Sequence, residues 1–190
     1  MTEVRPHNVD LAAAEAAASA LLTALDIPHG DGTLAGTPRR IARAYAELLT
    51  PREFSMTTFP NDEGYDELVL ARDIPFTSLC EHHLLPFIGT AVVAYLPGDR
   101  ILGLSKLARV VELFARRPQV QERMTTQIAR WLEDQLKPKG VGIVLTAEHT
   151  CMTVRGASAR GATTVTSTLL GTLRHDARSR AEFLTLAGSR

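Results

Sequence analysis

Positions 80–83 of the chain read Cys-Glu-His-His, framed by Thr77-Ser78-Leu79 before and Leu84-Leu85-Pro86-Phe87 after. A thiol, a carboxylate and two imidazoles in a row serve no purpose in a packed core. Together they offer soft and borderline ligands to one cation, with zinc the first expectation. The only other cysteine, Cys151, stands in His149-Thr150-Cys151, again beside a histidine. A fold for this chain must therefore bring two remote segments to one place.

A disulfide between Cys80 and Cys151 would leave His82, His83 and His149 gathered around it without a role, whereas a metal uses them. Cys80 and either histidine of the pair lie within one tight turn, and Cys151 closes a third position from afar. Three protein ligands with an open fourth position mark a catalytic zinc, and hydrolysis is then the expected reaction class. The competing reading is a closed structural site using Cys80, His82 or His83, His149 and Cys151, and each of these residues taken singly is an ordinary core or surface group.

Length and charge narrow the setting. The 190 residues suit one domain with a sizeable core, carrying a helical arm over residues 1–50 ahead of a main domain over 51–190. Lys+Arg and Asp+Glu both number 21, so no global field favours nucleic acid or an acidic membrane, and an anion has to be bound locally. No apolar run is long enough to span a bilayer, and Glu15 interrupts the alanine-rich stretch 11–25, which reads as a helix rather than an export signal. Two unpaired thiols then suit a reducing cytoplasm.

Along the chain, residues 1–8 read as unstructured. Asn8 or Asp10 caps a helix through Leu25, with Leu11, Leu21, Leu22 and Leu25 as its apolar face. Thr37-Pro38 reads as a cap and first helical residue of a second helix, to about Leu49, bearing Arg39, Arg40 and Arg43. Residues 53–64 have loop composition. Strands are expected at Leu68–Ala71 with Ile74–Phe76, at Ile88–Leu96, at Ile101–Leu104 pairing back on its predecessor, at Gly140–Glu148 and at Thr163–Leu170. Ser105 is the expected cap of a helix with Leu107, Val110, Val111 and Phe114 buried, and its first turns carry Lys106 and Arg109 on one face, a natural anion site. A further helix runs to about Lys137, with Gln121 and Glu122 in its first turn, and a last one covers Asp176 to Leu186. Strand periodicity puts His149 and Cys151 on one face. The pattern is α+β: an antiparallel sheet with helices on one face, small enough to invite edge pairing between subunits.

Four strings in register narrow this further: Ser78-Leu79-Cys80-Glu81-His82-His83-Leu84-Leu85-Pro86-Phe87; Gly103-Leu104-Ser105-Lys106-Leu107-Ala108-Arg109; Arg117-Pro118-Gln119-Val120-Gln121-Glu122-Arg123; and His149-Thr150-Cys151-Met152 with Arg155-Gly156. From about Thr37 onward they closely resemble the GTP cyclohydrolase I family. The resemblance implies the tunnelling fold assembled into stacked rings, commonly a decamer of two pentamers, with active sites between subunits. It implies zinc on Cys80, His83 and Cys151, and conversion of GTP and water to formate and 7,8-dihydroneopterin triphosphate, the first step of pterin and tetrahydrofolate synthesis. His149 is implied as the proton donor to guanine N7, with His82 and Ser105 assisting later proton transfers. Glu122, with Gln121 beside it, is implied to read the guanine edge; Lys106, Arg109 and Arg155, joined by Arg40 and Arg43 of a neighbouring subunit, to hold the triphosphate. Against many relatives, the loop 157–161 is poor in basic residues. A rival with the same implied fold, the nitrile reductase of queuosine synthesis, has no need of the Cys80, His83, Cys151 set.

Overall fold

The computed structural model describes residues 9–188, so the segment 1–8 lies outside it. The described chain divides into two compact units, one up to Pro51 and one from Arg52 onward.

The first unit holds two helices. Helix α1 (Leu11–Ala24) is capped by Asp10, whose carboxylate accepts from the Ala13 N–H at 2.9 Å. Of the four leucines expected to form its buried face, only Leu22 is buried, together with Ala18; Leu11, Leu21 and Leu25 are exposed. The two buried residues are four apart, one narrow stripe of the helix. Helix α2 (Thr37–Leu49) begins one residue earlier than its composition indicates. Gly36 is the cap, Pro38 lies in the first turn, and the Thr37 hydroxyl accepts from Arg40 at 2.9 Å.

The second unit is α+β. Its order is β1 (Thr58–Pro60), β2 (Val69–Cys80), β3 (Pro86–Leu96), β4 (Arg100–Leu102), α3 (Leu104–Ala115), β5 (Pro118–Gln119), α4 (Gln121–Leu136), β6 (Gly140–His149), α5 (Thr150–Thr153), β7 (Thr164–Gly171), α6 (Thr172–His175) and α7 (Ala177–Gly188). Five strands form one sheet in the order β5-β2-β3-β6-β7, antiparallel throughout except for the two-residue parallel contact of β5 with β2. The two pieces expected at the first strand are one strand, broken in register between Ala71 and Ile74 where Asp73 adopts φ +57°. This is a bulge: the extra residues leave the ladder and the alternation resumes beyond them.

Period-2 alternation builds the core. On β3, Phe87, Ala91, Val93 and Tyr95 are buried in one apolar cluster with Leu107, Val110, Val111 and Phe114 of α3 and Met124, Ile128 and Leu132 of α4. The helix stripe expected from spacing is the one buried. The other face of β3, through Ala94, joins Leu169, Leu173 and Phe183 in a second cluster. Helices therefore cover both faces of the sheet, not one, because the C-terminal segment folds back across β6.

Two further expectations are corrected. Strand β4 does not return onto β3; it pairs with β1, inside the stretch expected to be loop, as a separate two-stranded sheet with Phe59 opposite Ile101. And Ser105 does not cap α3: Gly103 is the cap residue, without a side-chain bond, and Ser105 is already helical.

Candidate metal and substrate site

The end of β2 delivers Cys80 into a tight turn. The Cys80 N–H donates to the Leu85 carbonyl at 2.9 Å, and the Cys80 carbonyl accepts from the N–H groups of His83 at 3.3 Å and Leu84 at 2.8 Å. Leu84 sits at φ +53°, the left-handed conformation that lets the chain reverse here. The turn is fastened from below. Glu81 N–H donates to the Gln119 carbonyl of β5 at 3.0 Å, its carboxylate pairs with Arg123, and Arg123 Nε donates to Gln119 Oε1 at 3.1 Å. The Gln119 amide donates to Phe114 O and to Gln127 Oε1, each at 2.9 Å. Arginine beside Glu81 holds its carboxyl below the usual carboxylate range.

Cys151 arrives differently from expectation. The strand ends at His149, and Cys151 lies in the single turn α5, whose Thr150 hydroxyl donates to the Pro86 carbonyl at 2.6 Å. His149 and Cys151 are thus not two positions of one strand. The helical turn is what swings the thiol toward the end of β2.

One ligand atom each of Cys80, His83 and Cys151 lie within 4.8 Å of one another, and both cysteines are free thiols. Cys80 Sγ stands 3.8 Å from His83 Nδ1. A tetrahedral zinc with ordinary bond lengths sets a thiolate and an imidazole nitrogen roughly 3.6 Å apart, so the three groups fit such an ion with little movement. The chemistry agrees. Burial pushes the Cys151 thiol up, and the neighbouring Cys80 sulfur raises it further, so two thiolates here need a cation between them. His82 Nδ1 is also 3.8 Å from Cys80 Sγ, and both histidines are exposed, but His82 is not one of the mutually close three.

His149 lies directly across the sheet from Phe87, and their rings stack with centroids 4.6 Å apart and planes 4° from parallel. Its Nε2 is 2.7 Å from Gln121 Oε1. Burial lowers the His149 pKa, partly opposed by the nearby Glu122 carboxylate. Glu122 itself is exposed in the first turn of α4. Arg155, just beyond α5, is close enough to favour the charged form of Cys151.

The remaining expected residues lie elsewhere. Ser105 and Arg109 line a cleft of about 530 Å³ with Arg52, Thr77, Ile88 and Glu112, and none of the three mutually close ligands borders it. Arg109 is paired with Glu112 at 3.1 Å, and Lys106 stands over the Phe54 ring at 5.9 Å. Arg40 and Arg43 belong to the first unit, where Arg40 donates to the Thr33 carbonyl at 3.0 Å. Sequence reasoning missed the partners that hold the site: Arg123 on Glu81, Gln119 beneath it, Phe87 under His149. Phe87 was visible as the last residue of the Cys80 string, but its stacking depends on a register no local pattern reveals.

The model of the family described as GTP cyclohydrolase I matches residues 14–188. The chain belongs to that family. It is 54% identical over 159 residues to the GTP cyclohydrolase 1 of Aquifex aeolicus, covering 84% of this chain and 86% of the relative. It is 50% identical over 188 residues to the GTP cyclohydrolase 1 of Rhodopirellula baltica, covering 95% of this chain and 81% of that one. Among solved structures, an archaeosine synthase QueF-Like superposes at TM-score 0.46 with 14% identity over 55% of this chain and 93% of its own, a likeness too loose to bear on function.

Proposed function

We propose that the chain converts GTP and water to formate and 7,8-dihydroneopterin triphosphate, with zinc on Cys80, His83 and Cys151. The observation that carries the reading is the convergence of those three ligand atoms within 4.8 Å, in a chain of the GTP cyclohydrolase I family. Two sulfurs and one imidazole suit zinc, and three protein ligands leave a position open. Zinc bound there supplies a Lewis acid that activates water for attack on the purine C8.

The chain's own residues supply the rest. His149 donates a proton to guanine N7, which makes C8 electrophilic. Glu122 accepts hydrogen bonds from the guanine N1–H and exocyclic amine, a donor pattern that adenine does not present at that edge. His82 and Ser105 assist the proton transfers of ring opening, loss of C8 as formate, rearrangement of the opened ribose and closure of the pterin ring. Lys106, Arg109 and Arg155 hold the triphosphate, with Arg40 and Arg43 of a neighbouring subunit.

That Ser105 and Arg109 line a cleft apart from the metal ligands supports a site assembled between chains, in which one subunit brings the metal and purine half and its neighbour the phosphate half. The sheet supports the same reading. Among the described residues strand β7 is paired on one side only, and β2 meets β5 only at Leu79 and Cys80, which leaves two edges able to extend a ladder into another subunit. The proposed assembly is the tunnelling fold in stacked rings, a decamer of two pentamers, acting in the cytoplasm at the entry to pterin and tetrahydrofolate synthesis. Among the described residues no helix is long and apolar enough to cross a membrane.

The test is incubation of the purified, metal-assayed protein with GTP, followed by detection of formate and, after oxidation, of a fluorescent pterin. Equimolar formate and pterin are expected. A metal-loaded protein that releases neither would overturn the reading.

A further inference from the structure

Gln121 is 2% exposed at the first position of α4, and its side-chain amide is fully committed inside the protein. Its Nε2 is 3.1 Å from the Leu145 carbonyl, 3.0 Å from the Thr164 carbonyl and 3.1 Å from Thr166 Oγ1. Carbonyl oxygens only accept, so the group facing two of them is the NH₂ and cannot be the amide oxygen. The hydroxyl contact agrees. Thr125 donates its single hydrogen to the Gln121 main-chain carbonyl at 2.7 Å, so in the 2.6 Å contact between Thr125 and Thr166 the donor is Thr166, whose lone pair then faces the Gln121 NH₂. The two NH₂ hydrogens are shared among three acceptors, and this orientation of the amide leaves Gln121 Oε1, an acceptor, pointing at His149 Nε2 across 2.7 Å.

An acceptor at that distance requires the hydrogen to be on His149 Nε2. We propose that Gln121 is a positioning residue that fixes His149 in the tautomer protonated at Nε2, leaving Nδ1 as the only ring nitrogen through which His149 exchanges a proton with substrate. The stacked Phe87 ring holds the imidazole plane, and turning the ring over would place a carbon against Gln121 Oε1 and forfeit the bond. Gln121 then acts on the purine through His149 and not by touching it, so the guanine edge is left to Glu122. The catalytic meaning of the tautomer rests on the proposed function; the tautomer itself does not.

The experiment uses the metal-loaded, full-length protein labelled with ¹⁵N-histidine. Solid-state ¹⁵N spectra are recorded at a pH where His149 is neutral, and its signals are identified by their loss in His149→Asn. The expected wild-type signature is a protonated Nε2 and a bare Nδ1. Gln121→Met, close in length but without an acceptor, is expected to populate the Nδ1-protonated form and to lower kcat for formate release about tenfold or more, with KM for GTP within about twofold. A wild-type spectrum with the hydrogen on Nδ1 overturns the proposal even if no variant folds. So does a Gln121→Met protein whose tautomer is unchanged, whether its kinetics stay as they were or its KM alone rises, the latter meaning that Gln121 binds substrate directly. A protein inactive on GTP that nonetheless shows the Nε2 signature defeats the proposed function and leaves the tautomer standing.

Discussion

The ring of Phe183 on α7 occupies the space that a side chain at Gly142 of β6 would fill: a Cβ built there stands 2.8 Å from two ring carbons. Phe183 is fully buried, so the ring has nowhere to retreat. Gly142→Ala is therefore expected to destabilise the protein by about 1–3 kcal/mol through overpacking. Phe183→Ala is expected to cost about 3–5 kcal/mol through the cavity it leaves. Denaturant midpoints measure both. If the two losses add in the double variant, the contact is not the cause; recovery of part of the Gly142→Ala loss is the expected result.

Cys151→Ser separates a catalytic metal from a structural one. The main core cluster is built largely from strand and helix side chains such as Phe87, Phe114, Ile128 and Ile143, with Cys80 at its margin and Cys151 packed against it. A cooperative thermal unfolding near that of the parent protein is expected, with metal content sharply reduced and formate release down roughly 100-fold or more. Loss of the folded state on this substitution would assign the metal to the fold instead.

Glu122 tests recognition apart from metal binding. Its carboxylate carries charge-assisted bonds to two guanine donors in the proposed complex, worth roughly 1.5–3 kcal/mol each. Glu122→Ala is expected to lower kcat/KM for GTP by about 100-fold or more while the protein keeps its full complement of metal. Unchanged turnover would remove Glu122 from the site.

Glu112 gives a pH dependence whose sign follows from its surroundings. It accepts from Arg52 Nε and Nη2 at 2.7 Å each and from Arg109 at 3.1 Å, and these bonds hold its pKa below the ordinary carboxylate value. A carboxyl depressed on folding stabilises the protein fully above its unfolded pKa, near 4.3, and the contribution is lost as pH falls through the lower folded value. Glu112→Gln is expected to unfold at a lower temperature than the parent at neutral pH. The gap should narrow in melts recorded toward pH 3. A gap that stays constant over that range would mean that the loss comes from packing rather than charge.

What could be read in the sequence divides along a physical line. Helix stripes such as Leu107, Val110, Val111 and Phe114, and strand alternation in Val141, Ile143 and Leu145, are local consequences of periodicity, and those residues are buried. The donor chemistry of Cys80 and Cys151 with a histidine of the 82–83 pair is equally legible, because few other roles suit those residues in that company, while the choice of His83 over His82 comes from the family resemblance. Pairings decided by remote partners were not. Thr58-Phe59-Pro60 has no alternation and a proline, and becomes a strand only because Ile101 lies opposite. The helical turn at Cys151 replaces an expected strand position because Thr150 is bound to Pro86, a neighbour from another strand. The family resemblance sets Gln121 beside Glu122 at the guanine edge; only the positions of two main-chain carbonyls reveal that its amide NH₂ is already used.

The ladder between β3 and β6 runs unbroken from Phe87 opposite His149 to Leu96 opposite Gly140, and Cys151 hangs two residues past its end. A slip of one residue in that ladder would carry the second sulfur about 3.4 Å along the strand and turn its neighbours to the opposite face. A subunit zipped up out of step would not gather the three ligand atoms, so the alignment of two neighbouring strands decides whether the Cys80, His83 and Cys151 set exists at all.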